Sequence, residues 1–265
     1  MAKTLIEISG VHKIYRDGTN EINALNGVDL SIAENEFVCV VGPSGCGKTT
    51  LLNIIAGLEP FDRGVVRMDG RDIVGPGPDR GVIFQQYALF PWMTVHRNIE
   101  YGMKFLRREN GEKFTKQEKR KLAEHYINMV NLQGFENTYP KALSGGMKQR
   151  VAIARGYAVN PRVLLMDEPF GALDAQTRAQ LQEELLESWA KERKTCFFIT
   201  HDVDEAVLLA TRVIIMSARP GRIIDEVNID LPYPRNQASK LLPLFSEYRN
   251  HIWDMVYKMY LEIRK

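Results

Sequence analysis

Four segments of this chain are apolar on both faces of a would-be strand: 37–41 (FVCVV), 163–166 (VLLM), 196–200 (CFFIT) and 213–216 (VIIM). A strand with water on one side alternates, so segments that do not alternate belong in a parallel sheet covered by helices on both faces. Helical patterns separate them, which makes the core α/β. By contrast, 5–9 (LIEIS) and 28–32 (VDLSI) alternate, and 65–68 runs into an Asp69-Gly70 turn. These predict a half-exposed antiparallel β layer attached to the core.

Between about residue 94 and residue 142 the strand signals stop, and 116–132 (KQEKRKLAEHYINMVNL) reads as an amphipathic helix behind the polar stretch 107–113. A small helical subdomain inserted in the core is expected there. The basic run 116–121 is read as a solvated helix face, because acids interleave with it; a nucleic-acid patch is the other reading. Near the C-terminus, Phe245, Tyr248, Ile252, Val256, Met259 and Ile263 recur at helical steps, giving an apolar stripe. It serves either to pack on its own domain or as a regulatory or membrane-interface surface, although Glu247, Asp254 and Glu262 offset the nearby basic residues.

A chain of 265 residues has room for one large domain carrying a smaller one, and 45% hydrophobic with 26% charged residues excludes a disordered or fibrous chain. Thirty-five basic against 33 acidic side chains leave a net charge of +2, so bulk attraction to nucleic acid has no support and no nucleic-acid partner is expected. No apolar run is long enough to span a bilayer, so work at a membrane requires partners. The first residues lead straight into a strand pattern with no secretory signal, which predicts a cytosolic chain. Cys39, Cys46 and Cys196 are odd in number and widely spaced, as reduced thiols would be. There is no internal repeat.

Directly after the apolar run 37–41 comes Gly42-Pro43-Ser44-Gly45-Cys46-Gly47-Lys48-Thr49-Thr50, followed by a helical pattern through Leu51, Leu52, Ile54 and Ile55. This is a full match to GxxxxGK[ST] in strand–loop–helix context. Glycines let backbone N–H groups turn inward around phosphates, and the helix start adds a favourable dipole. Lys48 would reach the β/γ-phosphates and the Thr49 hydroxyl would ligate Mg²⁺. Cys46 sits beside Lys48 and a helix start, both of which favour thiolate; equally, it is a small residue that the loop tolerates.

The run 163–166 ends in Asp167-Glu168. Asp167 at the end of a buried strand can hold Mg²⁺, directly or through water. Glu168, one residue further, can polarise the water that attacks a γ-phosphate. Paired acids at a strand end otherwise serve as a helix cap or a solvated corner.

A second anion site follows from Leu143-Ser144-Gly145-Gly146-Met147-Lys148-Gln149-Arg150, where Ser144, Gly145 and Gly146 open a helix whose free N–H groups can bind phosphate. This run resembles the signature sequence of ATP-binding cassette (ABC) ATPases. The family usually has Gln where this chain has Met147, a change that leaves the phosphate-facing residues intact. The resemblance implies a P-loop ABC ATPase core, an antiparallel β layer and an inserted helical subdomain. Residues 1–93 and 144–235 would be the core, 94–143 the helical subdomain, and 236–265 an amphipathic helical tail. It also implies ATP and Mg²⁺ as ligands. In this family the signature of one subunit completes the nucleotide site of the other, so two nucleotides would be sandwiched in a head-to-tail homodimer or a pair of paralogous subunits.

Other positions match the family one by one. Tyr15 lies where these ATPases stack an aromatic on adenine, and would otherwise be an edge-strand tyrosine. Gln85, after Phe84, resembles the Q-loop glutamine that contacts Mg²⁺ and the attacking water and senses the membrane partner; Gln86 is its neighbour. Asp174, in Ala172-Leu173-Asp174, resembles the D-loop residue that communicates across the dimer. His201 resembles the switch histidine at the γ-phosphate. Glu168, His201 and Gln85 would form the catalytic set, with Thr49, Gln85 and Asp167 around the metal.

Phe84 through Trp92, Asp167 through Arg178 and Ser217 through Arg222 are similar to importer ATPases of the nitrate/sulfonate/taurine group. That similarity implies two membrane-spanning permease subunits, an extracytoplasmic solute-binding protein and a peripheral position on the cytoplasmic side of the cell membrane. Leu89, Phe90, Pro91 and Trp92 would line a groove for a permease helix or else belong to the subdomain core. A soluble ABC machine without a permease shares every motif, whereas a small-molecule kinase has no use for 143–146. The solute is not legible, because the permease lines its route.

Overall fold

The computed structural model describes residues 3–108 and 110–263; Met1, Ala2, Glu109, Arg264, Lys265 and the side chain of Ile263 lie outside the described residues. In chain order the strands are β1 (Thr4–Asp17), β2 (Asn20–Ala33), β3 (Phe37–Val41), β4 (Arg63–Met68), β5 (Arg71–Asp72), β6 (Arg80–Ile83), β7 (Val163–Asp167), β8 (Thr195–Ile199), β9 (Arg212–Met216) and β10 (Ile223–Asn228). The α-helices are α1 (Lys48–Ala56), α2 (Val95–Gly102), α3 (Lys116–Met129), α4 (Gly145–Ala158), α5 (Ala175–Glu192), α6 (Val203–Leu209) and α7 (Pro243–Ile263). Residues 1–77 with 193–265 make up one unit, and residues 78–192 the other.

In the first unit every residue of β3 and β8 is buried. β3 pairs in parallel with β8 through Val38 and Phe197, and with β9 through Cys39 and Val213; β10 adds an antiparallel edge to β9. Burying each large apolar side chain of these strands contributes about 2 kcal/mol. The alternating segments form a separate antiparallel sheet in the order β2-β1-β4-β5. Its first hairpin is much longer than the alternation predicted, pairing Thr4 with Ala33 at one end and Asp17 with Asn20 at the other. The extra length carries apolar Val11, Ile14, Ile22 and Leu25, but register shifts between Ile8 and Ile14 break their alternation; ladder bonds and pairs such as Arg16–Glu21 (3.0 Å) hold the tip.

α7 buries Phe245 and Ile252 completely, while Val256 and Met259 are half-buried. The chain leading to it is anchored by buried Arg235, which donates to the carbonyls of Ala210 (2.6 Å) and Val207 (3.2 Å) at the end of α6 and to that of Ile229 (3.0 Å). A cation suits the unpaired carbonyls of a helix end.

In the second unit β6 and β7 pair in parallel, with Gly81 opposite Leu164, and α2 to α5 fill the rest. The segment 94–143 falls within it. α3 begins at a capping box in which Thr115 and Glu118 satisfy each other's backbone N–H groups. Its basic face is solvated, with Arg120 bonded to Glu124 at 3.1 Å. Buried Arg150 donates to Glu184, tying α4 to α5. Among the described residues no helix is long and apolar enough to cross a membrane.

Candidate functional site

The residues expected at a nucleotide are divided between the units: Tyr15, the loop after β3 and His201 in the first; Gln85, Ser144, Gly145, Gly146, Asp167, Glu168 and Asp174 in the second.

The loop after β3 depends on glycine. A Cβ on Gly42 (φ 156°) would lie 2.5 Å from the Met216 carbonyl oxygen, and one on Gly47 (φ 91°) would lie 2.7 Å from that of Ala24. No side chain fits either place. α1 starts at Lys48 with Gly47 as N-cap and no side-chain cap bond, whereas α2, α3, α4 and α6 are capped by Thr94, Thr115, Ser144 and Asp202. The first-turn amides of α1 thus stand open to an anion at the loop. Buried Lys48 folds back over the loop, its Nζ donating to the carbonyls of Gly42 (2.8 Å) and Pro43 (3.1 Å). Ser44, Gly45 and Thr49 are exposed. Tyr15 reaches this loop from β1, its hydroxyl 3.4 Å from Thr50 Oγ1. The ring is exposed, with Lys13 Nζ 4.8 Å from its centroid.

Cys46 departs from the thiolate expectation. It is fully buried, and burial pushes its thiol up; Lys48, 3.7 Å from Sγ, pulls in the other direction but does not win. The side chain packs under the loop as a small apolar group.

His201 follows β8, exposed, one residue after Thr200, whose N–H donates to the Val40 carbonyl at 3.2 Å. That bond ties the approach to His201 to the strand that feeds the glycine loop. Asp202 accepts from Glu205 N at 3.1 Å and starts α6.

In the second unit Asp167 ends β7, and Glu168 takes a left-handed backbone conformation (φ 43°). A non-glycine residue there carries strain of about 1–3 kcal/mol, a cost concentrated at working sites. A point at the Cβ position of Gly171 lies 3.6 Å from Glu168 Oε2 and 3.9 Å from Gln85 Nε2. The fold therefore brings the Gln85 amide and the Glu168 carboxylate to one small region. The acid that caps a helix here is Asp174, which accepts from Thr177 N at 3.0 Å in the first turn of α5; that bond holds its carboxyl below the usual carboxylate range.

Ser144 is exposed and caps α4, accepting from Met147 N at 3.3 Å. Met147 supplies a backbone amide to that cap, which any residue but proline can do. Its neighbouring glycines are hemmed in: a Cβ on Gly146 would lie 2.6 Å from Thr177 Cγ2, and one on Gly145 would lie 3.2 Å from Tyr87 Oη. The signature helix start, the Asp174–Thr177 cap and the loop after Gln85 form one packed group.

Sequence reasoning missed three residues of this group. Arg155, in the last turn of α4, donates to the carbonyls of Tyr87 and Ala88. Tyr87 reaches Gly145, as above. Buried Asn98 accepts from Phe90 N (2.9 Å) and donates to the carbonyls of Met93 and Thr94 (3.0 Å each), fixing the turn that leaves Trp92 68% exposed. Asn98 was findable: it lies three residues from Val95 on the face of α2 that is buried. Phe90 packs at a tilt against Trp92 (5.7 Å) and Tyr101 (4.6 Å), and with Leu89 and Phe90 half-buried and Pro91 and Trp92 exposed, 89–92 form a partly exposed apolar ledge.

Among the described residues no three or more His, Cys, Asp or Glu gather where they could hold a metal ion. Mg²⁺ needs no such cage, being bound through one or two carboxylates with substrate phosphates, and a hydroxyl such as that of Thr49 or a carboxylate such as that of Asp167 is the kind of oxygen donor it takes.

The chain is similar to known proteins of one family. The profile of the family described as "ABC transporter" matches residues 25–171. The nitrate import ATP-binding protein NrtD of Synechocystis is 45% identical over 253 residues, covering 93% of each chain. The aliphatic sulfonates import ATP-binding protein SsuB of Bacillus cereus is 44% identical over 247 residues, 93% of this chain and 94% of that one. Among solved structures, the ATP-binding cassette MJ0796, a dimer in a post-hydrolysis state bound to ADP and Pi, superposes with a TM-score of 0.76 at 34% identity, covering 86% of this chain and 100% of that one.

Proposed function

This chain belongs to the ABC transporter family and is one of its ATPases, and from that premise we propose that it is the motor subunit of an importer for a small anion of the nitrate, sulfonate or taurine kind. Two copies close on two Mg·ATP, each nucleotide lying between the glycine loop of one copy and the Ser144 helix start of its twin. The observation that carries this reading is that one chain holds two helix starts suited to phosphate, α1 at Lys48 with no side-chain cap and α4 led by exposed Ser144 and two glycines.

In this reading the loop amides from Gly42 to Thr50 and the Lys48 ammonium hold the phosphates, and Tyr15 stacks on the adenine. Ser144, Gly145 and Gly146 of the twin meet the γ-phosphate from the other side. Thr49, Asp167 and Gln85 would hold Mg²⁺, which would neutralise charge on the phosphates. Glu168 accepts a proton from the attacking water, Gln85 orients that water, and His201 donates to the γ-phosphate as charge develops. Asp174 sits at the helix cap beside the signature glycines, so closure on a nucleotide is felt at α5.

Permease subunits dock on the ledge at Leu89, Phe90, Pro91 and Trp92. A solute-binding protein delivers substrate on the far side, and the ATPase pair sits at the cytoplasmic surface of the membrane. ATP-driven closure and solute loading favour each other through a shared coupling free energy.

The deciding experiment is purification of the tagged chain from its own detergent-solubilised membranes, followed by ATPase assays in proteoliposomes with nitrate, taurine and an alkanesulfonate. A stoichiometric membrane partner and anion-stimulated turnover are expected. Full activity from chain that brings down no membrane protein would assign it instead to the soluble machines.

A further inference from the structure

α7 carries a second apolar row that is largely exposed. Phe245 and Ile252 are buried against the first unit, yet Trp253 is 57% and Tyr257 48% exposed, and Tyr260 is exposed one turn further on. The rings of Trp253 and Tyr257 stack, with centroids 6.2 Å apart and planes 9° from parallel. An apolar groove of about 270 Å³ runs along this row, and its other wall is Pro43 of the glycine loop. Trp253 also borders a groove of about 540 Å³ whose far side is His201, Asp202 and Asp204. One helix face thus runs beside both phosphate-side elements of this unit.

We propose that this aromatic face of α7 is a docking surface for a second copy of the chain, extending the nucleotide-sandwich interface; the inference rests on the sandwich reading above. In that arrangement the surroundings of Pro43 and His201 are what the twin covers, so the aromatic row is continuous with the closing surface. The lining of the smaller groove carries no charge, which does not suit a lipid headgroup or nucleic acid. Asp254 and Lys258 neutralise each other within the helix at 2.5 Å, so two copies meet there without charge repulsion. Tryptophan and tyrosine are the residues that anchor protein interfaces, and a two-fold axis lets one patch serve both copies.

The test uses full-length Glu168→Gln protein with Mg·ATP, in which hydrolysis does not dissolve the dimer, and measures self-association by sedimentation. Adding Trp253→Ser and Tyr257→Ser is expected to raise the dimer dissociation constant by roughly tenfold or more, with ATP affinity of the monomer unchanged. As a second measurement, the tryptophan emission that Trp253→Phe removes should shift to the blue when ATP is added to the parent. A Glu168→Gln parent that stays monomeric overturns the sandwich and this inference together. Equal dimerisation by parent and double variant, with unshifted Trp253 emission, overturns the α7 contact alone. An equal loss of monomer ATP affinity would mean that α7 props the glycine loop, and would also overturn docking.

Discussion

Arg155 Nη1 donates to the Ala88 carbonyl at 2.7 Å and Nη2 to that of Tyr87 at 3.0 Å, so one guanidinium on the signature helix grips the loop that follows Gln85. Both Tyr87 and Ala88 have positive φ (28° and 47°), a strained course that these bonds hold in place. Arg155→Met should cost about 1–3 kcal/mol in denaturant unfolding, because two carbonyls lose their donor. It should also slow ATP turnover, while Arg155→Lys restores part of the stability but not the paired grip. Wild-type turnover in Arg155→Met would show that the grip is irrelevant to catalysis.

Lys48 bonds its own loop through Gly42 and Pro43, and a phosphate would compete for those donors. Lys48→Ala is expected to weaken ATP binding at least about tenfold by calorimetry, charge-assisted bonds being the strong ones. Unchanged affinity would count against a phosphate-binding loop.

Glu168, in a strained conformation beside Gln85, should be needed for chemistry rather than binding. Glu168→Gln is expected to lower phosphate release by about 10²–10⁴-fold, the usual worth of a general base, while ATP still binds. Normal turnover in that variant would remove the assignment.

Gly146 has no room for a methyl group, because Thr177 Cγ2 would be 2.6 Å away. Gly146→Ala should destabilise the chain by about 1–3 kcal/mol through overpacking. ATP-dependent dimerisation should weaken while monomer ATP affinity holds. A loss of ATP affinity in the monomer would place the signature on the same nucleotide as the loop of its own chain.

All three cysteines are buried, and burial pushes each thiol above its ordinary value, Cys39 and Cys196 most strongly. A group whose folded pKa is raised stabilises the fold below its unfolded pKa, here about 8.5, and that contribution is lost as pH rises past it. Denaturation midpoints should therefore fall between pH 8 and about pH 10, and an aromatic disulfide reagent should label the folded chain slowly at pH 7. Rapid stoichiometric labelling of Cys46 at pH 7 would restore the thiolate reading.

The local rules of the chain were readable because they are short-range. Thr94, Thr115, Ser144, Asp174 and Asp202 are the residue types that accept from helix-start amides, and each does so. The arms of the first hairpin were not readable, since register shifts between Ile8 and Ile14 break the alternation and ladder hydrogen bonds leave no mark on the side-chain pattern. The second face of α7 was hidden for another reason. Its aromatics recur at helical steps just as the buried stripe does, and periodicity does not say which of two apolar rows is covered.

By itself the sequence determined the doubly buried strands, the glycine loop, the signature helix start and the acids at the end of β7, because each is set by steric or hydrogen-bonding needs within a few residues. Only the tertiary structure decided that Cys46 is a buried thiol, that Arg155 and Tyr87 link the Gln85 loop to the signature helix, and that Trp253 and Tyr257 stand beside Pro43. Burial and contact between residues far apart in the chain depend on where whole elements pack, and no local pattern of side chains encodes that.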